Sequence, residues 1–297
     1  MDSLSYGPLS LIVDAVSSSD VSILPLYHTS SNLKEIVEEI QTRKQPYKRR
    51  LFYNLNVDKL NRFSIPVIKF YLMQGRRLTG YFIDKIYENG NRQIIDWVRE
   101  QGYKTSVDNL TAAAKGSHLE LVKSLRADGC PWGTRTVARA AENGHLTLVQ
   151  WLRENNCPWN VDVITGAAKN GHLEIIKWLR ENGSEWSPLA ISVAARNGHL
   201  NVIKWLRENG CRWETGAISE AAKNGHLEIV KWLRDNGCPW DADVIAAAAS
   251  QGHLNIIKWL RENGCEWNSR VIMATSWQGH REVKQWLIEN GCPESDP

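Results

Sequence analysis

The sequence predicts an all-α fold, an array of stacked helix pairs preceded by a small helical module. Seven histidines recur at intervals of 27 residues, and a fixed period of about 20 to 50 residues is typical of repeat proteins. Two series of tryptophans follow the same period, and each unit contains apolar runs with helical spacing. The histidines are His118, His145, His172, His199, His226, His253 and His280.

The composition predicts a soluble chain that needs no disulfides. With 297 residues, of which 42% are hydrophobic and 23% charged, it can bury a large core. No run approaches the roughly 18 to 20 apolar residues of a membrane span, and the N-terminus lacks the features of a secretory signal. We therefore expect a cytoplasmic location, with the nucleus, or the host cytoplasm for a viral protein, as alternatives.

The predicted N-terminal module, residues 1–45, lies outside the repeat frame. Its segment 7–40 has a proline before an apolar helix, then a Ser-Asp turn and a second amphipathic run. It resembles the F-box through Pro8, Leu11, Ile12, Asp20, Val21, Leu24 and the run SNLKEIV at 31–37. The interval before Asp20 is shorter than in that family, and Gly7 replaces its usual leucine.

The F-box resemblance implies that this module docks on a Skp-type adaptor of a cullin-RING ubiquitin ligase. The residues implied to contact the adaptor are Pro8, Leu11, Ile12, Leu24 and Leu33. The alternative is a helical cap that covers the first repeat, because the end of a repeat array needs shielding. A basic linker, 46–50, follows within the run RKQPYKRR, for which a nuclear address or a phosphate contact is the alternative.

The array is predicted to span 51–297 in about nine units, each with two helices. In the unit that begins at Trp159, Asn160 or Asp162 can cap a first helix, and Asn170-Gly171 end it. The small residues Ala167 and Ala168 permit close packing of this helix. Since so short a pair cannot bury its apolar face alone, it must stack on the next pair.

The second helix of the same unit is predicted to begin at His172 and to end at Asn182-Gly183. Leu173, Ile175, Ile176, Trp178 and Leu179 form its apolar stripe. On the other face, Glu174, Lys177, Arg180 and Glu181 are expected to contact water.

The segment AAKNGHLEIIKWLRENG, at 167–183, closely resembles the ankyrin repeat, with its alanine pair, Asn-Gly-His turn and terminal glycine. The unit is about six residues shorter than that family's usual 33, and the Thr-Pro-Leu-His box is absent. The missing residues correspond to the β-hairpin fingers. The resemblance therefore implies an ankyrin-like solenoid with short turns, similar to short-repeat arrays of protists and their large DNA viruses.

Histidine and cysteine in every unit suggest a metal or a disulfide, but the period opposes both. Side chains in successive units should lie about 8 to 10 Å apart, too far to share a zinc ion or to form a disulfide. We expect the histidines to stabilise turns and the thiols to be free and half-buried in a reducing compartment. The cysteines are Cys130, Cys157, Cys211, Cys238, Cys265 and Cys292, with Ser184 in the vacant position.

The tryptophans are predicted to fill the core between units, although stacking platforms for bases or sugars are an alternative. Twelve of the 14 occupy two fixed positions of the unit. Trp277 occupies neither position. It lies near the end of the first helix in the last unit and is a candidate for an exposed contact. Because the sequence lacks known catalytic motifs and repeats its reactive residues, we expect no enzyme activity and no cofactor.

The predicted partner-binding residues are those that vary between units on one face of the first helix. They occupy the third, seventh and tenth positions after the Cys-Pro-Trp segment, which share a face by their spacing. This face is expected to be concave, although an exposed face that simply varies is the alternative. The residues are Asp108, Arg135, Arg139, Glu142, Asp162, Lys169, Arg196, Glu220, Lys223, Asp243, Arg270 and Trp277.

Together, the two resemblances imply a monomeric F-box/ankyrin substrate receptor that brings a target to a ubiquitin ligase. The alternative is an ankyrin scaffold that binds or sequesters a protein, with the N-terminal segment as a cap. A nucleic-acid binder that uses 43–50 is a third hypothesis. The net charge of +3 and the mixed charges of the variable face favour a protein partner.

Overall fold

The computed structural model describes residue 68 and residues 77–214, 216–240, 243–268, 270–276 and 279–293. These residues form sixteen helices and no strand, and the helices follow one another in pairs. The predicted all-α array of helix pairs is therefore confirmed. The module 1–45, the linker 46–50 and the start of the array lie outside the described residues.

The chain divides into two compact units, Met1–Pro131 and Trp132–Pro297, here called unit 1 and unit 2. In unit 1 the described helices are α1 (Gly80–Asn89), α2 (Arg92–Glu100), α3 (Val107–Lys115) and α4 (Leu119–Ala127). The first helices of its two pairs, α1 and α3, pack against each other.

Unit 2 contains six helix pairs. Its first helices are α5 (Thr134–Glu142), α7 (Asp162–Lys169), α9 (Ala190–Arg196), α11 (Ala217–Lys223), α13 (Asp243–Ser250) and α15 (Arg270–Ser276). Its second helices are α6 (Leu146–Glu154), α8 (Leu173–Glu181), α10 (Leu200–Glu208), α12 (Leu227–Asp235), α14 (Leu254–Glu262) and α16 (Arg281–Glu289). Each first helix packs against the first helix of the next pair, and these contacts join the repeats.

The C-terminal ends of the helices agree with the predicted residues, but the N-cap of α7 is Val161 rather than Asn160 or Asp162, and no side chain caps it. Before α7, the side chain of Asn160 accepts a hydrogen bond from the backbone N–H of Asp162 at 3.2 Å. The helix ends at Asn170, and Gly171 adopts a φ of 75°, which strains any residue with a Cβ. His172 is the N-cap of α8, as predicted.

The core of unit 2 consists of small and branched aliphatic residues. The predicted pair Ala167 and Ala168 is fully buried, and so are Ile176 and Leu179 on α8. Alanine lets the first helices approach closely, and the aliphatic side chains of the second helices fill the remaining space.

The prediction that the tryptophans form this core is wrong. All of those in the described part of the chain are only half-buried. The indole of Trp159 packs edge-on against Trp178, with ring centroids 6.0 Å apart, and five further pairs repeat the arrangement. The tryptophans therefore form a partly exposed band beside a fully buried core of small and aliphatic residues.

Candidate partner-binding surface

The predicted partner-binding residues lie in three rows along the first helices, and the rows differ in exposure. At the helix starts, Asp108, Arg135, Asp162, Asp243 and Arg270 are all exposed. In the middle row, Arg139 and Glu220 are half-buried. At the helix ends, Lys169, Arg196 and Lys223 are exposed, whereas Glu142 is half-buried. The structure therefore brings the described residues of unit 2 onto side-by-side helices.

Glu142 is the centre of an ion-pair cluster that joins two repeats. Its carboxylate accepts hydrogen bonds from Arg139 on the same helix, at 2.5 Å, and from Lys169 on the next first helix, at 2.7 Å. Burial raises the pKa of this carboxyl, but the hydrogen bonds from Lys169 and Arg139 outweigh burial, so its pKa lies below the ordinary value. Glu142 therefore remains charged and stabilises the contact between α5 and α7.

A second ion pair joins α9 to α11. The guanidinium of Arg196 donates two hydrogen bonds to Glu220, at 2.8 and 2.9 Å, in a bidentate arrangement. The hydrogen bond from Arg196 lowers the pKa of Glu220, although burial opposes the shift. A weaker pair connects Arg270 and Asp243 at 3.6 Å. Several residues predicted to contact a partner thus also hold neighbouring repeats together.

Unit 1 has the same kind of contact between α1 and α3. The ammonium of Lys115 lies 2.8 Å from the carboxylate of Glu88, which also pairs with Lys85. Burial raises the pKa of Glu88, but hydrogen bonds from Lys115 and Lys85 give a net lowering. Asp108 lies in the first turn of α3, where a negative charge interacts favourably with the helix dipole.

An apolar patch interrupts the charged rows in the middle of unit 2. Leu189, at the start of α9, is 52% exposed, and Val193 lies one turn further along the helix. The equivalent of Leu189 in the next repeat is Gly216, whose φ is −87° and where an added Cβ would meet no atom within 4 Å. Neither the backbone nor the packing requires glycine there, so the surface beside Leu189 is open.

The glycine on the other side of the patch has a structural reason. At Gly166, on α7, an added Cβ would lie 3.0 Å from the carbonyl oxygen of Ala138 on α5. The close approach of the two helices therefore leaves little room for a Cβ at this position. At Gly216 no neighbouring atom limits the side chain. Gly166 therefore allows close packing of two helices, whereas Gly216 only shapes the surface.

Some predicted residues lie outside the described part of the chain. They are Trp277 and the five residues of the F-box-like segment, Pro8, Leu11, Ile12, Leu24 and Leu33. Their predicted contacts remain predictions.

The repeated histidines join one repeat to the next. The imidazole Nε2 of His199 lies 3.0 Å from the carbonyl oxygen of Lys169, and since a carbonyl only accepts, the imidazole must donate. The same ring lies against Gly171, where an added Cβ would be 2.7 Å from Nδ1. His118, His172, His226 and His253 make the same bond at 2.8 to 3.1 Å. The predicted turn-stabilising role is confirmed for these five histidines, and it extends to the preceding repeat, whereas the buried Nε2 of His280 makes no hydrogen bond to any residue that the structure describes.

The cysteines are free, as predicted, but buried rather than half-buried. Several thiols contact a carbonyl oxygen at the start of their own repeat, as in the contact of 3.7 Å between Cys157 Sγ and the carbonyl oxygen of Gly133. Burial raises the pKa of Cys211 and of Cys238 to about 11, so both are thiols at neutral pH. Within the described residues, no three His, Cys, Asp or Glu side chains are grouped as metal ligands would be.

One contact that sequence reasoning missed involves an arginine in five of the second helices, α6, α8, α10, α12 and α14. Arg180 was expected to face water, but its guanidinium lies 4.0 Å from the ring centroid of Trp186 and donates to the carbonyl oxygen of Ser184. The same stacking occurs for Arg153, Arg207, Arg234 and Arg261. The fixed interval of six residues between this arginine and the next tryptophan was the available signal.

None of the helices in the described ranges is both long and apolar enough to span a bilayer.

Comparison with known proteins finds one family model and one solved structure that are similar to this chain. A family model for ankyrin repeats matches in three overlapping copies, at residues 137–217, 164–244 and 218–296, which together span just over half of the 297 residues. Among solved structures, the chain is similar to the human ASB11 ankyrin repeat domain, with 20% identity and a TM-score of 0.49, over 63% of this chain and 99% of that chain. Among curated proteins, none matches the chain.

Proposed function

Because the chain belongs to the ankyrin-repeat family, we propose that it is a non-enzymatic receptor that binds a protein through the first helices of its array. One observation carries the proposal. The fully buried residues between the repeats are nearly constant, such as the pair Ala167 and Ala168, whereas the three surface rows change from repeat to repeat. A constant interior with a variable surface favours recognition of a specific partner.

The finer part of the proposal concerns the F-box-like segment. We propose that residues 1–45 dock on a Skp-type adaptor, so that the array presents its target to a cullin-RING ubiquitin ligase. This part rests on the sequence resemblance through Pro8, Leu11, Ile12, Leu24 and Leu33 alone. The alternative is an ankyrin scaffold that binds or sequesters its partner, with residues 1–45 as a cap.

A pull-down with purified Skp-type adaptor separates the two. The full chain should capture the adaptor, and deletion of residues 1–45 should abolish capture while the helical circular dichroism of the array is retained. The triple charge reversal at Arg135, Arg139 and Glu142 is the matched control, since it changes the array surface and should leave adaptor capture unchanged. No capture by the full chain, or loss of helicity on deletion, would support the scaffold with a cap.

A further inference from the structure

We propose that the surface around Leu189 binds an acidic segment of a partner protein that carries one bulky apolar side chain. This Leu189 surface consists of Leu189, Val193, Gly216, Lys169, Arg196 and Lys223. The inference rests on the proposed function, because it assigns a partner chemistry to one part of the same face.

The Leu189 surface has an apolar centre. Leu189 is 52% exposed in a row whose other described members in unit 2 are charged residues or glycine. Val193, half-buried one turn along α9, extends the apolar area. Water solvates such an area unfavourably, so an apolar side chain that covers it gains free energy.

The surface beside Leu189 has space for a partner. Since Gly216 presents no side chain and its surroundings hold no atom within 4 Å of an added Cβ, a partner can approach the backbone there. On the other side, Gly166 also lacks a side chain, although packing against Ala138 explains its presence. A bulky residue of the partner therefore fits against Leu189 without displacing a neighbour.

Basic side chains surround the apolar centre and complement an acidic partner. Lys169, Arg196 and Lys223 end three first helices that pack side by side, α7, α9 and α11. Together with Arg139 and Glu220 of the middle row, the ends of α5 to α11 give four basic side chains and two carboxylates, those of Glu142 and Glu220. The surplus of two positive charges favours acidic groups in the partner.

Two of these cations are already held in place. Lys169 and Arg196 are oriented by ion pairs with Glu142 and Glu220, so a partner need not order them on binding. Lys223 contributes its charge to the lowered pKa of Glu220 but makes no ion pair with any residue that the structure describes. Its ammonium is therefore available to a carboxylate of the partner.

A nucleic acid fits this surface less well. The carboxylates of Glu142, Glu220 and Asp162 would repel a phosphate backbone. The exposed apolar side chain of Leu189 makes no favourable contact with phosphates. An acidic peptide with an apolar residue can pair with the lysines and cover the leucine at the same time.

The test is a selection of random dodecapeptides, displayed on phage, against the immobilised full chain. We expect enrichment of sequences with Asp or Glu around one Leu, Ile, Phe or Trp. The most enriched peptide is then synthesised, and its affinity for the chain is measured by fluorescence anisotropy. Leu189→Ala and Lys223→Ala should each weaken binding by about fivefold or more, as expected for residues central to an interface.

Matched controls come from the same chain. Met273→Ala removes another exposed apolar side chain, and Lys204→Ala removes another exposed lysine, and neither should change the affinity. Enrichment of basic or purely apolar peptides would overturn the inference, as would a duplex DNA that competes with the selected peptide and binds with a steep salt dependence.

The two failures can be told apart. If the selected peptide tolerates Leu189→Ala and Lys223→Ala but is lost on charge reversal at Arg135 or Arg270, the proposed function stands and this inference fails. If no peptide is enriched, or if binding survives every substitution in the three rows, both fail.

Discussion

Replacing His199 by alanine should weaken the joint between two repeats of unit 2 and leave the helices intact. The substitution removes the hydrogen bond of 3.0 Å to the carbonyl oxygen of Lys169 and the packing of the ring on Gly171. One hydrogen bond contributes about 0.5 to 1.5 kcal/mol, and a half-buried ring adds about 1 kcal/mol. We therefore expect a loss of about 1.5 to 2.5 kcal/mol in the free energy of unfolding.

The measurement is urea unfolding followed by far-UV circular dichroism, combined with hydrogen exchange of the amides in α7 and α8. His226→Ala should cost the same, because His226 makes the equivalent bond at 3.1 Å. Lys204→Ala, an exposed substitution on α10, is the control and should change stability by less than about 0.5 kcal/mol.

A loss at His199 no larger than that of the control would refute the role of the imidazole as a joint. Equal acceleration of exchange throughout unit 2 would also contradict the reasoning, since removal of one joint should act first on the repeats that it connects.

Three further predictions concern other groups of the array. Because burial lowers the pKa of His172 below its ordinary 6.5, the unfolded chain takes up the proton first, and the free energy of unfolding should fall as the pH drops below about 6.5. Thermal unfolding at a series of pH values checks this, and His172→Gln should flatten the profile. Cys211 and Cys238 should resist Ellman's reagent in the native chain and react once urea unfolds it, since both are buried thiols with a pKa of about 11. Arg180→Ala should cost about 1 to 2 kcal/mol through the lost stacking on Trp186 and should red-shift the tryptophan emission.

The sequence was sufficient to predict the helix pairs because their signals are local. His172 as N-cap, Asn182 as C-cap and Gly171 in the left-handed conformation all depend on residues within one turn of the helix end. The period then predicted the stacking, since so short a pair must cover its apolar face with a neighbour.

The positions of the tryptophans could not be predicted in this way. A large aromatic side chain at a fixed position indicates burial, but the fully buried positions are already occupied by Ala167, Ala168, their equivalents and the aliphatic residues of the second helices. The amphipathic pattern also assigned Arg180 to solvent, because stacking on Trp186 depends on how the loop folds back over the helix.

The candidate surface was predicted only in outline. Variation between units indicated the three rows, and the structure places their described members on packed first helices. The sequence did not reveal that Glu142 bridges Arg139 and Lys169, because that contact joins residues of two repeats. Nor could it distinguish Gly166, where packing leaves little room for a Cβ, from Gly216, which borders an open surface.

The histidine joints have a consequence for how unit 2 is synthesised and how it changes in evolution. Each of them connects residues 30 positions apart, whereas the thiol of Cys157 reaches back 24 within its own repeat. A repeat can therefore dock on its predecessor while the ribosome is still translating the next one, and such short loops close at a low entropic cost. Duplication or loss of 27 residues would recreate the same joints, so the gene can lengthen or shorten by whole units without a new interface.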